Sequence, residues 1–299
     1  MDKELARREF MREVGNQPFA GPLTFFRQKT GDGTGADVAL LGVPFDMGTS
    51  NRPGARFGPR AVREQSVHAC MSEAFPWDWF RQRKLVDCGD TWYFSGDLDQ
   101  ALGRIEEDAR AIRSRGARLL AVGGDHTVTL PLLAGLEGVA LIQLDSHDDL
   151  GDPFHKPYHG SFLNRAIAAG RVDPTRSVLV GRRTPPSAPS DILVLEADWL
   201  DEHGPLAAAE RIRERVGDHA AYLTFDIDFL DPAYAPGTGT PVPGGPTTAQ
   251  ARRLLKALRG INLVSADLVE ISPPYDGPGQ ITALAGAFVL AWLLELAVR

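Results

Sequence analysis

Seven short runs of apolar and β-branched residues, punctuated by Gly, Asp and Pro, recur down this chain: Ala36–Pro44, Arg118–Gly123, Val139–Asp145, Ser177–Gly181, Ile192–Glu196, Ala220–Asp228 and Leu263–Ile271. Leu85–Asp87 adds a candidate eighth. A strand wetted on one face alternates apolar with polar residues, whereas near-continuous apolarity marks a strand covered on both faces, the pattern of a parallel sheet. Helix-like segments lie between the runs, at Leu98–Arg115, Phe162–Ala169, Leu206–Val216 and Thr248–Leu258, with Thr247 or Thr248 placed to cap the last. Strand and helix alternate over the whole length without a repeat period or low-complexity linker. That order predicts a single three-layer α/β/α domain with a mostly parallel central sheet of about eight strands.

The C-terminal run Ile281–Val298 approaches the length of a membrane span, but Glu295 interrupts it and only Arg299 flanks it with positive charge. A helix buried on most sides, closing the core, is the expectation. The opening segment carries Lys3, Glu4, Arg7, Arg8 and Glu9 with no apolar run behind them, which is not a signal peptide. With 32 Lys and Arg against 39 Asp and Glu, the formal charge of −7 argues against nucleic-acid binding, because a phosphate backbone demands a cationic face. Two cysteines, Cys70 and Cys88, make neither a disulfide framework nor a zinc spacing and are expected as small buried hydrophobes in a reducing, cytoplasmic setting. Gly31–Gly35 (GDGTG) precedes a strand instead of following one, so it is a loop and not a dinucleotide fingerprint.

In an open parallel sheet, functional groups gather at the carboxyl ends of the strands. Here those ends read Gly123-Gly124-Asp125-His126-Thr127, Asp145-Ser146-His147-Asp148-Asp149 and Phe225-Asp226-Ile227-Asp228. In an extended segment, period-two spacing would put Asp145, His147 and Asp149 on one side and turn Asp148 away. Each piece alone has a plain structural explanation: His126 as a hydrogen-bonding turn residue, the aspartates as caps on loop amides. Together they place four aspartates and two histidines at one sheet edge, where like charges would repel unless a cation intervened. Oxygen-rich ligation with two imidazoles favours Mn²⁺ over zinc or copper, with nickel or cobalt as further candidates.

These residues resemble the metal-binding motifs of the ureohydrolases, the arginase and agmatinase superfamily. Gly42–Asp46 (GVPFD), Asn51–Pro59 (NRPGARFGP), Ala235–Gly245 (APGTGTPVPGG) and Asp267–Pro273 (DLVEISP) extend the likeness from about Asp37 to the C-terminus, and the first two resemble the agmatinase and guanidino-acid hydrolase branch. The resemblance implies an arginase-like catalytic unit over residues 31–299 behind an N-terminal extension, residues 1–30. It implies two Mn²⁺ per subunit, one held by His126, Asp145, Asp149 and Asp226, the other by His147, Asp145, Asp226 and Asp228, with Asp145 and Asp226 bridging. It further implies attack of a metal-bridging hydroxide on a guanidinium carbon, Asp149 passing a proton to the leaving amine, His159 shuttling protons and Glu270 pairing with the guanidinium. His155 has no matching motif and reads as a loop histidine.

Ser146 stands where the family usually has alanine, and Arg182-Arg183 departs from its usual Gly-Ile-Arg-Gly. Gly151–Gly160 lacks the Ser-Gly-Asn pattern with which arginases hold the amino-acid end of arginine, which argues against arginine as substrate. A small cationic guanidino compound is expected instead, agmatine first, with a guanidino acid such as guanidinobutyrate or a biosynthetic guanidino intermediate next. Lys156, Arg182 and Arg183 are the candidate cations for a carboxylate tail. From other classes come a non-catalytic scaffold relative and a metal-dependent deacetylase. The resemblance also implies a homo-oligomer, trimeric or hexameric, and no membrane partner.

Overall fold

The eight apolar runs pair as eight strands: β1 (Val38–Gly42), β2 (Leu85–Asp90), β3 (Arg118–Val122), β4 (Ala140–Leu144), β5 (Val178–Arg182), β6 (Leu193–Glu196), β7 (Ala221–Asp226) and β8 (Leu263–Val269). The chain is seen in a computed structural model that describes residues 3–14, 17–72, 75–152 and 155–297. The strands form one sheet in the order β2-β1-β3-β8-β7-β4-β5-β6, and every pairing is parallel. The expected three-layer α/β architecture is therefore present, with the sheet parallel throughout. β1, β4 and β7 are buried along their whole length, which is why their sequences show no polar alternation.

Among the described residues the helices are α1 (Lys3–Val14), α2 (Gly58–Cys70), α3 (Trp77–Phe80), α4 (Leu98–Ser114), α5 (Thr129–Leu132), α6 (Phe162–Ala168), α7 (Ala197–Val216), α8 (Thr248–Ala257) and α9 (Ile281–Ala297). Successive side chains of each strand point to opposite faces. Val38 and Leu40 of β1 pack in one apolar layer with Val62 of α2, Ile212 of α7, Leu254 of α8 and Leu290 of α9. Ala39 and Leu41 pack in the other with Ile105 of α4, Leu132 of α5 and Leu163 of α6. Thr247 is the cap of α8: its hydroxyl accepts from Gln250 N at 3.1 Å, and Gln250 Oε1 accepts from Thr247 N at 2.9 Å. α7 starts nine residues before the expected Leu206, because Gly204, at φ 82°, lets the chain break and resume at Pro205 within one element.

The C-terminal apolar run is α9, buried on nearly every side and packed on α2, α8 and β8. Its one charge, Glu295, is neutralised by an ion pair with Arg259. Val298 and Arg299 lie outside the described residues. Among the described residues no helix is long and apolar enough to cross a membrane. Cys70 is buried, as expected, whereas Cys88 is half-buried and its thiol is pushed up to about 11, chiefly by burial. Of the proposed extension, Met1, Asp2, Gly15 and Asn16 lie outside the described residues. Its end is anchored: Phe25 and Phe26 are fully buried, and Phe25 N donates to Asp87 Oδ2 at 2.8 Å.

Past β3 the chain must slip beneath the Val43–Phe45 segment to reach His126. A Cβ on Gly124 would lie 1.5 Å from the Phe45 carbonyl oxygen, so only glycine fits. Gly124→Ala is expected to destabilise the fold by about 3 kcal/mol. A thermal melt lowered by less than about 3 °C would show that the crossing yields more easily than the geometry implies.

Candidate metal centre

Four adjacent strands in the middle of the sheet, β3, β8, β7 and β4, end level with one another, since Val122 and Phe225 both pair with Leu268 and Leu144 pairs with Phe225. Their carboxyl ends supply the site. His126 opens the turn after β3, Glu270 follows β8, Asp226 ends β7 with Asp228 in the next turn, and Asp145, His147 and Asp149 follow β4.

The segment after β4 is not extended, as the alternation argument required. Asp145 Oδ1 accepts from His147 N at 2.7 Å, and this local turn bends the chain at once. Asp149 then adopts a left-handed backbone, φ 49°, as does Glu270 at φ 64°. The three side chains still converge, through a turn in place of a pleat. Non-glycine residues in that region carry about 1–3 kcal/mol of strain and cluster at functional sites.

His126 Nδ1 faces three carboxylate oxygens, at 2.9 Å from Asp149 Oδ2, 3.2 Å from Asp145 Oδ2 and 3.3 Å from Asp226 Oδ2. His147 Nδ1 lies 3.0 Å from Asp228 Oδ2 and 3.5 Å from Asp145 Oδ1. Two groups of potential ligand atoms thus form, His126–Asp145–Asp226 and Asp145–His147–Asp228, each with all atoms within 4.8 Å of one another. Asp145 belongs to both. Asp226 joins only the first, although its Oδ1 accepts from Asp228 N at 2.8 Å.

The donor set fits a divalent cation. Buried atoms normally have partners, yet His126 Nδ1, Asp228 Oδ2 and Glu270 Oε2 are buried without a hydrogen bond. Electrostatics agree. Burial, then Asp228 and Asp145, pushes Asp226 well above the usual carboxylate range, and burial and Asp145 raise Asp149 to about 7. Burial opposes the charge on the imidazoles, but the surrounding carboxylates overcome it, lifting His126 strongly and His147 to about 12. Crowded carboxylates of this kind hold protons until a metal displaces them.

Partners beneath the cluster fix its orientation. His126 Nε2 meets Thr224 Oγ1 at 2.8 Å, and beside them Asp267 accepts from Tyr222 and Thr129 at 2.7 Å each. The Thr224 contact holds the ring so that Nδ1 is the nitrogen that faces the carboxylates. Gln143 Nε2 donates to Asp145 Oδ2 at 2.8 Å and Asp149 Oδ2 at 3.3 Å. The sequence reasoning overlooked Gln143 and Thr224; the available signal was a polar residue inside a strand buried on both faces.

Glu270 Oε1 accepts from His126 N at 2.8 Å and pairs with His159 Nδ1 at 2.9 Å. One oxygen is thereby occupied, so Oε2 alone remains for a guanidinium. His159 is buried in the turn His159–Ser161, and its Nε2 contacts Ser50 Oγ at 2.7 Å. Burial lowers its basicity, Glu270 more than restores it, and the imidazole rises to about 9. His155, by contrast, is exposed and 3.9 Å from Asp152.

A cavity of about 280 Å³ opens over the cluster, walled by Ser50, Asp148, Tyr158, His159, Thr184 and Ser187 among others. Asp148 points away from the ligands, with Oδ2 accepting from Ser187 N at 2.6 Å. The three candidate cations are engaged elsewhere. Arg182 pairs with Glu196 and also stands 3.9 Å from Asp148 Oδ2 behind the cavity wall, Lys156 pairs with Asp99, and Arg183 donates to the carbonyls of Gly181, Asp228, Phe229, Leu230 and Val242. Pro153 and Phe154 of the Gly151–Gly160 loop lie outside the described residues.

A fully parallel α/β/α sheet whose central strand ends gather candidate His and Asp ligands is the architecture of a ureohydrolase. The arginase-family profile matches residues 36–295, and the chain belongs to that family, whose members are hydrolases acting on guanidino compounds. It is 40% identical over 291 residues to an agmatinase of Chromobacterium violaceum, covering 93% of this chain and 89% of that protein. The crystal structure of a hypothetical agmatinase from Burkholderia thailandensis superposes with a TM-score of 0.90 at 43% identity, covering 94% of this chain and 92% of that one. The proclavaminate amidino hydrolase of Streptomyces clavuligerus superposes at 0.87 with 32% identity, over 94% and 99% of the two chains.

Proposed function

We propose that this protein is a binuclear manganese amidinohydrolase that cleaves agmatine to urea and putrescine. The observation that carries the reading is the convergence of His126, His147 and four aspartates beside the buried, unpartnered Glu270 Oε2. His126, Asp145, Asp149 and Asp226 would hold one ion; His147, Asp145, Asp226 and Asp228 would hold the other. Two such ions supply Lewis-acid charge and acidify a shared water enough to make it nucleophilic near neutral pH.

The chain's own residues do the rest. Glu270, fastened through Oε1 by His126 N and His159, offers Oε2 to the guanidinium and orients its carbon toward the cluster. Asp149, through the oxygen not turned to His126, accepts the proton of the attacking water and returns it to the nitrogen of the breaking C–N bond. His159, joined to Ser50 at the cavity wall, carries a proton between the leaving amine and solvent. The water oxygen remains on the carbon as the carbonyl of urea, and the amine departs protonated.

The far end of the cavity supports a cationic tail. No lysine or arginine lines it among the described residues: Lys156 and Arg183 are engaged elsewhere, and Arg182 lies behind the wall, shared between Glu196 and Asp148. A carboxylate tail would find no lysine or arginine on the lining, whereas an ammonium meets the hydroxyls of Tyr158, Thr184 and Ser187. A panel of agmatine, guanidinobutyrate and arginine, assayed for urea with Mn²⁺, tests this. Agmatine should exceed the acids in kcat/KM by at least about tenfold; guanidinobutyrate outpacing it would overturn the substrate assignment. We also propose that residues 1–30 form an extension to a catalytic unit of residues 31–299, and that the enzyme is a cytoplasmic homo-oligomer, trimeric or hexameric.

A further inference from the structure

Ser146 sits between two of the candidate ligands, Asp145 and His147, and is fully buried. Its backbone N and its hydroxyl both reach Asp228 Oδ1, at 3.1 Å and 2.8 Å, and the hydroxyl oxygen also lies 3.0 Å from His147 Nδ1. A hydroxyl has one hydrogen, and a carboxylate is a stronger acceptor than an imidazole nitrogen. The hydrogen therefore goes to Asp228, and the hydroxyl oxygen turns its lone pairs toward His147 Nδ1. The other carboxylate oxygen, Oδ2, is buried without a hydrogen bond and stands 3.0 Å from His147 Nδ1.

We propose that Ser146 is a positioning residue for the second cation: its hydroxyl fixes Asp228 as a one-oxygen ligand aimed at the His147 side of the cluster. The inference rests on the two-ion reading above. With alanine at this position, only the longer amide bond would restrain Asp228, and its carboxylate could rotate away from His147. The hydroxyl does not touch the first group of ligands, so the effect is confined to one ion. Partners of this kind typically change metal affinity by 10- to 100-fold.

The test is titration of the metal-free full-length protein with Mn²⁺, followed by calorimetry and by the electron paramagnetic resonance of the spin-coupled pair. The unaltered protein should take up two ions, the coupled signal growing with the second. Ser146→Ala should bind the first ion as before and the second about tenfold more weakly, with the coupled signal displaced to higher Mn²⁺. Ser146→Gly, which removes the same hydroxyl with less bulk, should show the same loss, and Ser146→Thr, which keeps it, should not. Unchanged second-ion affinity in the alanine and glycine variants would overturn the assignment to Ser146 alone. Uptake of fewer than two ions by the unaltered protein would overturn the two-ion reading and this inference with it.

Discussion

On the proposed two-ion site, Asp228→Asn is expected to cost the protein one cation and to depress urea release by more than about a hundredfold, since even indirect partners of a metal ligand are worth ten- to a hundredfold. The residue ends a short relay. Its Oδ1 is held by Ser146, its own backbone N donates to Asp226 Oδ1, and its Oδ2 faces His147 Nδ1. An amide removes the anionic ligand and presents a hydrogen-bond donor to the cation whenever its nitrogen takes the Oδ2 position. Metal analysis of the purified variant should read about one Mn²⁺ per chain. Full activity with an unchanged metal content would sink the assignment of the second group.

Glu270→Gln should lower kcat/KM for agmatine by roughly a hundredfold or more while leaving the metal content intact, because a buried charge partner of the substrate is lost and no ligand is. Glutamine can keep the bonds to His126 N and His159 through its oxygen. Its amide would then point at the guanidinium, setting donor against donor where Oε2 had accepted. The two variants thus separate metal loss from substrate loss: Asp228→Asn changes ion count and rate together, Glu270→Gln changes rate alone. Loss of Mn²⁺ from the Glu270 variant would mean that this carboxylate supports the cluster, not the substrate.

The strands were legible because burial on both faces leaves a blunt apolar signature, and all eight runs became strands. Their trimmed ends are informative: Asp145 and Asp228 fall just beyond the strands, where side chains turn from sheet to site. α2 was missed because Gly58 and Pro59 open it within a motif rich in Gly and Pro, and proline at the first turn of a helix looks like a breaker in sequence. The cluster's membership was legible from residue type at strand ends; its geometry was not. The bend at Asp145 is a local turn that its own side chain closes on His147 N, a signal that the alternation argument passed over, and nothing in Asp145–Asp149 announces that Asp149 lies at φ 49°. The partnerships of Thr224 with His126 and of Ser50 with His159 were hidden because each joins residues distant in sequence.

The site is assembled from two kinds of chain. Its floor consists of residues issuing from β3, β8, β7 and β4, where a shift in one strand would disturb every ligand at once. Its walls, carrying Tyr158, Thr184, Ser187 and Thr240, belong to irregular segments outside the sheet. Mutation therefore acts on the two with unequal consequences: the floor tolerates little, while the walls can be rewritten to admit a different tail. A scaffold so divided can diversify its substrates and keep one chemistry, and an engineer seeking a new guanidino specificity would begin at the walls.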